Sequence, residues 1–187
     1  MKVNFNKKNA YIIFSLIVAI TVIIAIVKSS GLVVYNITNS MPLGLYYVVS
    51  DKAQDAQKNE LVTICPAKRE DIVIATKIGY LELKEKGNCW ITPLLKRVIA
   101  KEGDNVLINE NGIYVNGILI RRSKPFEKDR QGNSLHIAYM NRKLNKCEFI
   151  VNTDSRYSYD SRYLGVFHCD ELRQIVIPTF LTYDNVE

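Results

Sequence analysis

Histidine is nearly missing: His136 and His168 are the only two in 187 residues. No serine sits in a G-x-S-x-G elbow either. A hydroxyl nucleophile served by a histidine base and an orienting carboxylate therefore has little to be built from. There is no C-x-x-C pair, and His168 directly before Cys169 is poor spacing for metal ligands, so neither a metal nor a cofactor is expected. The net charge is +6, yet the lysines and arginines are scattered. Without a dense basic run or a basic stripe interleaved with aromatics, nucleic acid is not the expected partner. A surface facing anionic lipid headgroups accounts for the excess base as well. No internal repeat or low-complexity segment is visible.

What the chain does contain is apolar and tyrosine-rich. Hydrophobic residues make up 48% of it, enough for a core rather than a disordered segment, and the 11 tyrosines suit strands. The length allows one folded domain plus a membrane segment. "YIIFSLIVAITVIIAIV", residues 11–27, carries no charge and is just long enough to cross a bilayer. Lys2, Lys7 and Lys8 precede it and only Lys28 follows closely, a bias that keeps the N-terminus in the cytoplasm. The expected organisation is a cytoplasmic N-terminus (1–10), a transmembrane anchor (11–27) and an exported domain (28–187), periplasmic in a Gram-negative cell. A cleavable signal peptide fits less well. The apolar run exceeds the usual h-region, and "AIVKSSG" lacks a small-x-small cleavage site. All four cysteines, Cys65, Cys89, Cys147 and Cys169, fall in the exported part, as disulfides in an oxidising compartment would. Three pairings are open to four cysteines.

The exported part reads as mainly β. Strand-like runs lie at 45–49 and 60–64, and "KREDIVIATKIGYLELKEKG" reads as a short helix with Gly87 as its stop, its "IVIA" core fitting a strand equally. Residues 93–120 read as strand, Gly103-Asp104 turn, strand, Asn-Gly turn and strand, with Asn111-Gly112 and Asn116-Gly117 as hairpin signals. Residues 121–145 look like a polar excursion or long loop. "CEFIVNT" and "RQIVIPTFLTY" supply further strands.

Within "NITNSMPLGLYYV", residues 36–48, Ser40 precedes a Met-Pro turn that feeds a strand. With histidine scarce, the base for such a hydroxyl can be a lysine, provided that burial lowers its pKa. Lys96, in "PLLKRVIA" among Leu94, Leu95, Val98 and Ile99, is the lysine set in an apolar strand.

"NSMPLGLYYV", "PLLKRVIAKEGD" and "SYDSRYLGVF" follow one another behind a single anchor. Together they resemble the boxes of the type I signal peptidase family and, more narrowly, its TraF branch of conjugative-transfer signal peptidases. "CPA" at Cys65-Pro66, the residues around Cys89, and "YVNG" followed by a polar loop resemble that branch too.

The resemblance implies the signal-peptidase/LexA-like β-fold and a Ser/Lys dyad. Ser40 matches the nucleophile and Lys96 the general base. Thr38 matches the hydroxyl that joins the Ser40 backbone N–H in the oxyanion hole. Ser158 matches the hydroxyl that orients the lysine, and Asp160 and Arg162 match a structural pair holding the last box. Two departures stand out. Lys101 and Glu102 replace an apolar residue and proline, and "NTDSRYS" lacks the G-D-N of general signal peptidases. The expected disulfides are Cys65–Cys89 and Cys147–Cys169.

Ser40 would stand about thirteen residues beyond the membrane, at most roughly 45 Å. Met41 and its neighbours are expected at an apolar rim facing the membrane. The implied partners are the bilayer, a membrane-tethered precursor (a conjugative pilin or a signal-bearing preprotein) and conjugative type IV secretion components. The acyl-enzyme would be resolved by water or by the pilin's own amine. Alternatives are a general type I signal peptidase and a non-catalytic anchored component. A LexA-like self-cleaving switch shares the Ser/Lys logic, but an anchor stands where its DNA-binding domain would be.

Overall fold

The computed structural model describes residues 7–84 and 88–182. Helix α1, Lys7–Ser29, takes up the apolar run and begins four residues ahead of it. Its stretch Lys7–Val27 has mean hydropathy 3.0 and none of it is covered by the rest of the protein. At 1.5 Å per residue its 21 residues reach about 30 Å, the thickness of a bilayer's hydrocarbon. The polar side chains within it are satisfied locally: Ser15 donates to the Ile12 carbonyl (2.8 Å) and Thr21 to that of Ile17 (3.0 Å). A helix in lipid needs that, because no water is there to take these groups. Lys2 lies outside the described residues.

The remainder is mainly β. Strands β1 (Val33–Asn36), β2 (Leu43–Ser50), β3 (Leu61–Ile64) and β4 (Leu94–Lys101) belong to the larger sheet. So do β9 (Glu148–Asn152), β10 (Phe167–His168) and β11 (Leu172–Thr182). Among the described residues the order is β1-β2-β11-β3-β4-β9-β10, every neighbour antiparallel. Strand β11 thus lies between β2 and β3 and joins the β1–β2 hairpin to the rest of the sheet. The smaller sheet holds β5 (Asn105–Asn109), β6 (Gly112–Val115), β7 (Ile118–Leu119) and β8 (Met140–Lys143), in the order β7-β6-β5-β8.

Three expectations are corrected in detail. The short helix α2 is Glu70–Lys77 and stops at Gly79, whose φ of +82° leaves the helical region. Gly87, the expected stop, lies outside the described residues. The β5–β6 turn is centred on Glu110-Asn111, because Gly112 already pairs with Asn109. Asn116-Gly117 does form a two-residue turn, both at positive φ, between Val115 and Ile118. The polar excursion at 121–145 is not loop throughout. It returns as β8 along the edge of β5, where "MNRK" is held by backbone pairing and carries no apolar alternation to betray it.

The main core gathers Val62, Ile64, Ile72, Val98, Val151 and Phe167 under α2. A second cluster fills the small sheet around Val106, Ile108 and Ile113. A third joins Met41, Tyr46 and Val48 to Leu61, Leu95 and Val176. Cys65 is bonded to Cys89 and Cys147 to Cys169, with Cα separations of 5.5 and 5.0 Å. Both sulfurs of the first bridge lie in the main core.

Candidate active site

The connection between β1 and β2 is built around one carboxamide. Asn36 closes the hairpin opposite Gly44, and its side chain turns inward, 6% exposed. Its Nδ2 donates to the carbonyls of Thr38 (3.0 Å), Met41 (2.9 Å) and Pro42 (3.1 Å). Its Oδ1 accepts from the Thr38 backbone N–H (3.2 Å) and hydroxyl (2.8 Å). The Tyr46 hydroxyl takes a second bond to the Pro42 carbonyl at 2.7 Å. Gly44 is required by close approach: with φ at +138°, a Cβ there would overlap the Phe180 carbonyl on β11.

Ser40 sits on this turn, half-buried, with its Oγ 3.1 Å from the Thr38 hydroxyl, which is itself exposed. Met41 is not at a rim. It is 3% exposed and packs in the cluster that contains Leu95, the residue before Lys96. Its unbranched thioether fills the space among Tyr46, Val48, Leu61, Leu95 and Val176. The exposed apolar surface is formed instead by Tyr35, Leu45, Tyr47, Val49, Ile177 and Phe180. Register places Tyr35 opposite Leu45, Ile177 opposite Tyr47 and Phe180 opposite Leu45, so these lie on one face of β1-β2-β11.

Lys96 lies in the middle of β4, opposite Val62, and is 3% exposed. Its Nζ donates to Ser158 Oγ at 2.7 Å. Burial, which disfavours the charged amine, lowers its pKa to about 8; Asp160 pulls it up and Arg162 pushes it down.

The segment carrying Ser158 is wound around a buried guanidinium. Arg162 and Asp160 are both fully buried and joined by two bonds, 2.8 and 2.9 Å. The remaining arginine donors go to the carbonyls of Ser155 (3.0 Å), Arg156 (2.9 Å), Ser158 (2.8 Å) and, more distantly, Arg122 (3.5 Å). Asp160 also caps the four-residue helix α3 (Ser161–Leu164) by accepting from the Arg162 N–H. The rigid fork of arginine suits this task, since its five donors reach several acceptors in one plane. From outside, Tyr157 stacks on Phe126 (5.4 Å) and lies under Arg130 (4.2 Å), which ties the 121–139 excursion to the same segment.

Lys101 and Glu102, the departure in the lysine box, occupy a polar turn that has partners. Lys101 Nζ bonds Gln57 (3.0 Å), and Asp104 accepts from the Lys101 N–H, Lys58 and Asn116, which hold its carboxyl below the usual range despite burial.

The anticipated residues therefore fall into two groups. Lys96, Ser158, Asp160 and Arg162 form one bonded network, and Thr38 and Ser40 form another. Among the described residues no hydrogen bond joins Ser40 to Lys96; the two groups approach through the Met41–Leu95 cluster. Asn36 was not anticipated, because an asparagine at a strand end reads only as a turn former. Among the described residues no cluster of His, Cys, Asp or Glu could hold a metal ion.

The described chain is thus a mainly β domain behind an apolar helix long enough to cross a membrane. The chain belongs to the signal peptidase, peptidase S26, family, whose model matches residues 7–177. It is a signal-peptidase-like serine peptidase, and preproteins are the substrates that its family implies. Within that family it is similar to plasmid transfer protein TraF of Escherichia coli. Two such relatives are 30% and 29% identical over 147 residues, 76% of this chain and 79% and 80% of theirs. The resemblance to the TraF branch is thereby shown. A crystal structure of a signal peptidase I from Enterococcus faecalis V583 matches at TM-score 0.36 and 14% identity, covering 65% of this chain and 96% of that one, a likeness too slight to carry an argument.

Proposed function

We propose that this protein is a single-pass membrane endopeptidase that matures an exported precursor, a conjugative pilin, with Ser40 as nucleophile and Lys96 as general base. The observation that carries this reading is the Lys96 amine. It is buried, bonded to Ser158, and lowered to about 8, so a working fraction is neutral near physiological pH. Neutral Nζ takes the Ser40 proton as Oγ attacks the scissile carbonyl, then passes it to the leaving amine. The Ser40 N–H and the Thr38 hydroxyl stabilise the oxyanion. Ser158 holds the amine in place, and Asp160 and Arg162 hold Ser158. In the free enzyme Ser40 and Lys96 each bond another hydroxyl; bonds of this kind tighten when substrate is bound.

The N-terminal lysines favour residues 1–10 in the cytoplasm, 11–27 in the bilayer and 28–187 in the periplasm, close to the inner membrane. The exposed face of Tyr35, Leu45, Tyr47 and Phe180 begins six residues after α1 ends, which supports a domain lying on the bilayer surface. A pilin tethered there is held near Ser40, and its partners in the cell would be conjugative type IV secretion components. Its own N-terminal amine can then compete with water for the acyl-enzyme, because an intramolecular amine has a high effective molarity. The product would be cyclic, one water lighter than the linear chain.

The test is precursor processing by membranes containing wild-type protein, Ser40→Ala, Lys96→Ala or Lys96→Arg. All three variants should be inserted and inactive, the last because guanidinium does not deprotonate at working pH. Processing by Lys96→Arg would remove the lysine from its role, and processing by Ser40→Ala would leave a non-catalytic component. The mass of the pilin product decides between hydrolysis and cyclisation.

A further inference from the structure

We infer that Asn36 is a positioning residue for the nucleophile turn, acting on Ser40 through Thr38; this rests on the reading of Ser40 as nucleophile. A single carboxamide makes five contacts with residues 38, 41 and 42, on both sides of Ser40. Two N–H groups serve three carbonyls and one oxygen accepts twice, so every polar atom of the group is engaged, and at 6% exposure water cannot take over any of these bonds.

The acceptor side fixes more than shape. Asn36 Oδ1 can only accept, so the Thr38 hydroxyl must donate to it across the 2.8 Å contact. In the 3.1 Å contact between Thr38 and Ser40, the Ser40 hydroxyl is then the donor. Asn36 thus sets the resting direction of both protons and makes Thr38 an acceptor for Ser40. When Ser40 gives its proton to the base and an oxyanion forms, the Thr38 hydroxyl is released from Asn36 and turns toward the new charge. The carboxamide keeps its hold on the Thr38 N–H and the three carbonyls throughout, so the turn stays in register while one hydroxyl swings.

Two variants probe these contacts. Asn36→Ala removes all five contacts. Asn36→Asp keeps the shape and the acceptor for Thr38 but turns a carboxylate oxygen, not a donor, toward the three carbonyls. The probe is a quenched fluorescent peptide carrying an A-x-A type of cleavage site, with full-length protein in detergent. Displacing a nucleophile by about 1 Å costs about 10²-fold. Both variants should therefore lose about 10²-fold in kcat with KM within about threefold of wild type, the pattern of an interaction that matters in the transition state. Adding Thr38→Val to Asn36→Ala should cost less than the product of the two single losses, since one residue acts through the other. The thermal midpoint identifies which variants are folded, and Asn36→Asp stands in if Asn36→Ala is not. A folded variant with wild-type kcat, a loss confined to KM, or fully multiplicative losses with Thr38→Val would overturn the role. Ser40→Ala runs alongside: if it still cleaves, the dyad fails, whereas an inactive Ser40→Ala beside a fully active Asn36→Asp sinks only the role of Asn36.

Discussion

Lys96 Nζ and Ser158 Oγ are 2.7 Å apart in the interior of the protein, on strands and loops separated by 62 residues of sequence. Among the described residues no carboxylate lies within bonding distance of the amine; its partner is a neutral hydroxyl held in place by the carbonyl cage around Arg162. An amine in such surroundings is kept ready to lose its proton, because burial penalises the cation and a hydroxyl only weakly compensates.

The activity of the protein should rise with pH through a single ionisation near 8 and reach a plateau before the ordinary lysine range. Asp160 raises the Lys96 pKa, so Asp160→Asn should move the rising limb to lower pH in whatever fraction folds. The kcat/KM profile of the quenched peptide checks both. A limb that climbs without a plateau to pH 10 would contradict the buried amine.

Replacing Lys96 with methionine should stabilise the protein while abolishing activity. The amine falls from 10.5 to about 8 on folding, so at neutral pH the folded chain must carry a disfavoured cation. A shift of that size costs about 3 kcal/mol. The sign follows from proton counting. Between about 8 and 10.5 the unfolded chain binds more protons, so wild-type stability rises with pH in that window and the penalty is complete below it. The advantage of Lys96→Met should therefore be largest below pH 8 and shrink toward pH 10, as denaturant titrations at several pH values would show.

Much of this was legible in the residues, and what was not has identifiable causes. The apolar run, the N-G turn and the alternation of β2 are local signals, and each leaves its mark within a few residues. β8 could not be read because it is an exposed edge strand whose pairing with β5 owes nothing to side-chain pattern. Met41 points inward because the order β2-β11-β3-β4 brings Leu95 and Val176, from strands far apart in sequence, into its cluster. The boxes singled out Ser40, Lys96 and Ser158 as a set, but only the fold shows Lys96 bonded to Ser158 and Asn36 beneath the turn.

Removing the Cys65–Cys89 bridge by double substitution to serine should lower stability by about 3 kcal/mol, from the unfolded-state freedom restored to a loop with a separation of 24 residues. The bridge lies in the main core at the end of β3 and ahead of β4, so Lys96 should also become more accessible and its rising limb should move up in pH. Non-reducing peptide mapping must first find the pair joined. Unfolding midpoints and the activity profile then measure the two effects.

Arg162 is the side chain whose loss should damage the fold most. Arg162→Met matches its bulk but leaves Asp160 fully buried without its ion-pair partner, strips the Arg156 and Ser158 carbonyls of their donor, and leaves the Ser155 carbonyl only the bonds from Thr153 and the Ser158 N–H. Breaking a buried pair from one side costs about 3–5 kcal/mol. Arg162→Lys should recover little, because one ammonium has three donors and cannot span Asp160 and three carbonyls at once. Adding Asp160→Asn to Arg162→Met should restore part of the loss by removing the stranded charge, yet not all of it, since the Arg156 and Ser158 carbonyls stay without their donor. Denaturant unfolding of the three variants orders them. If Arg162→Met were as stable as wild type, the guanidinium would not be what holds the Ser158 segment against Lys96.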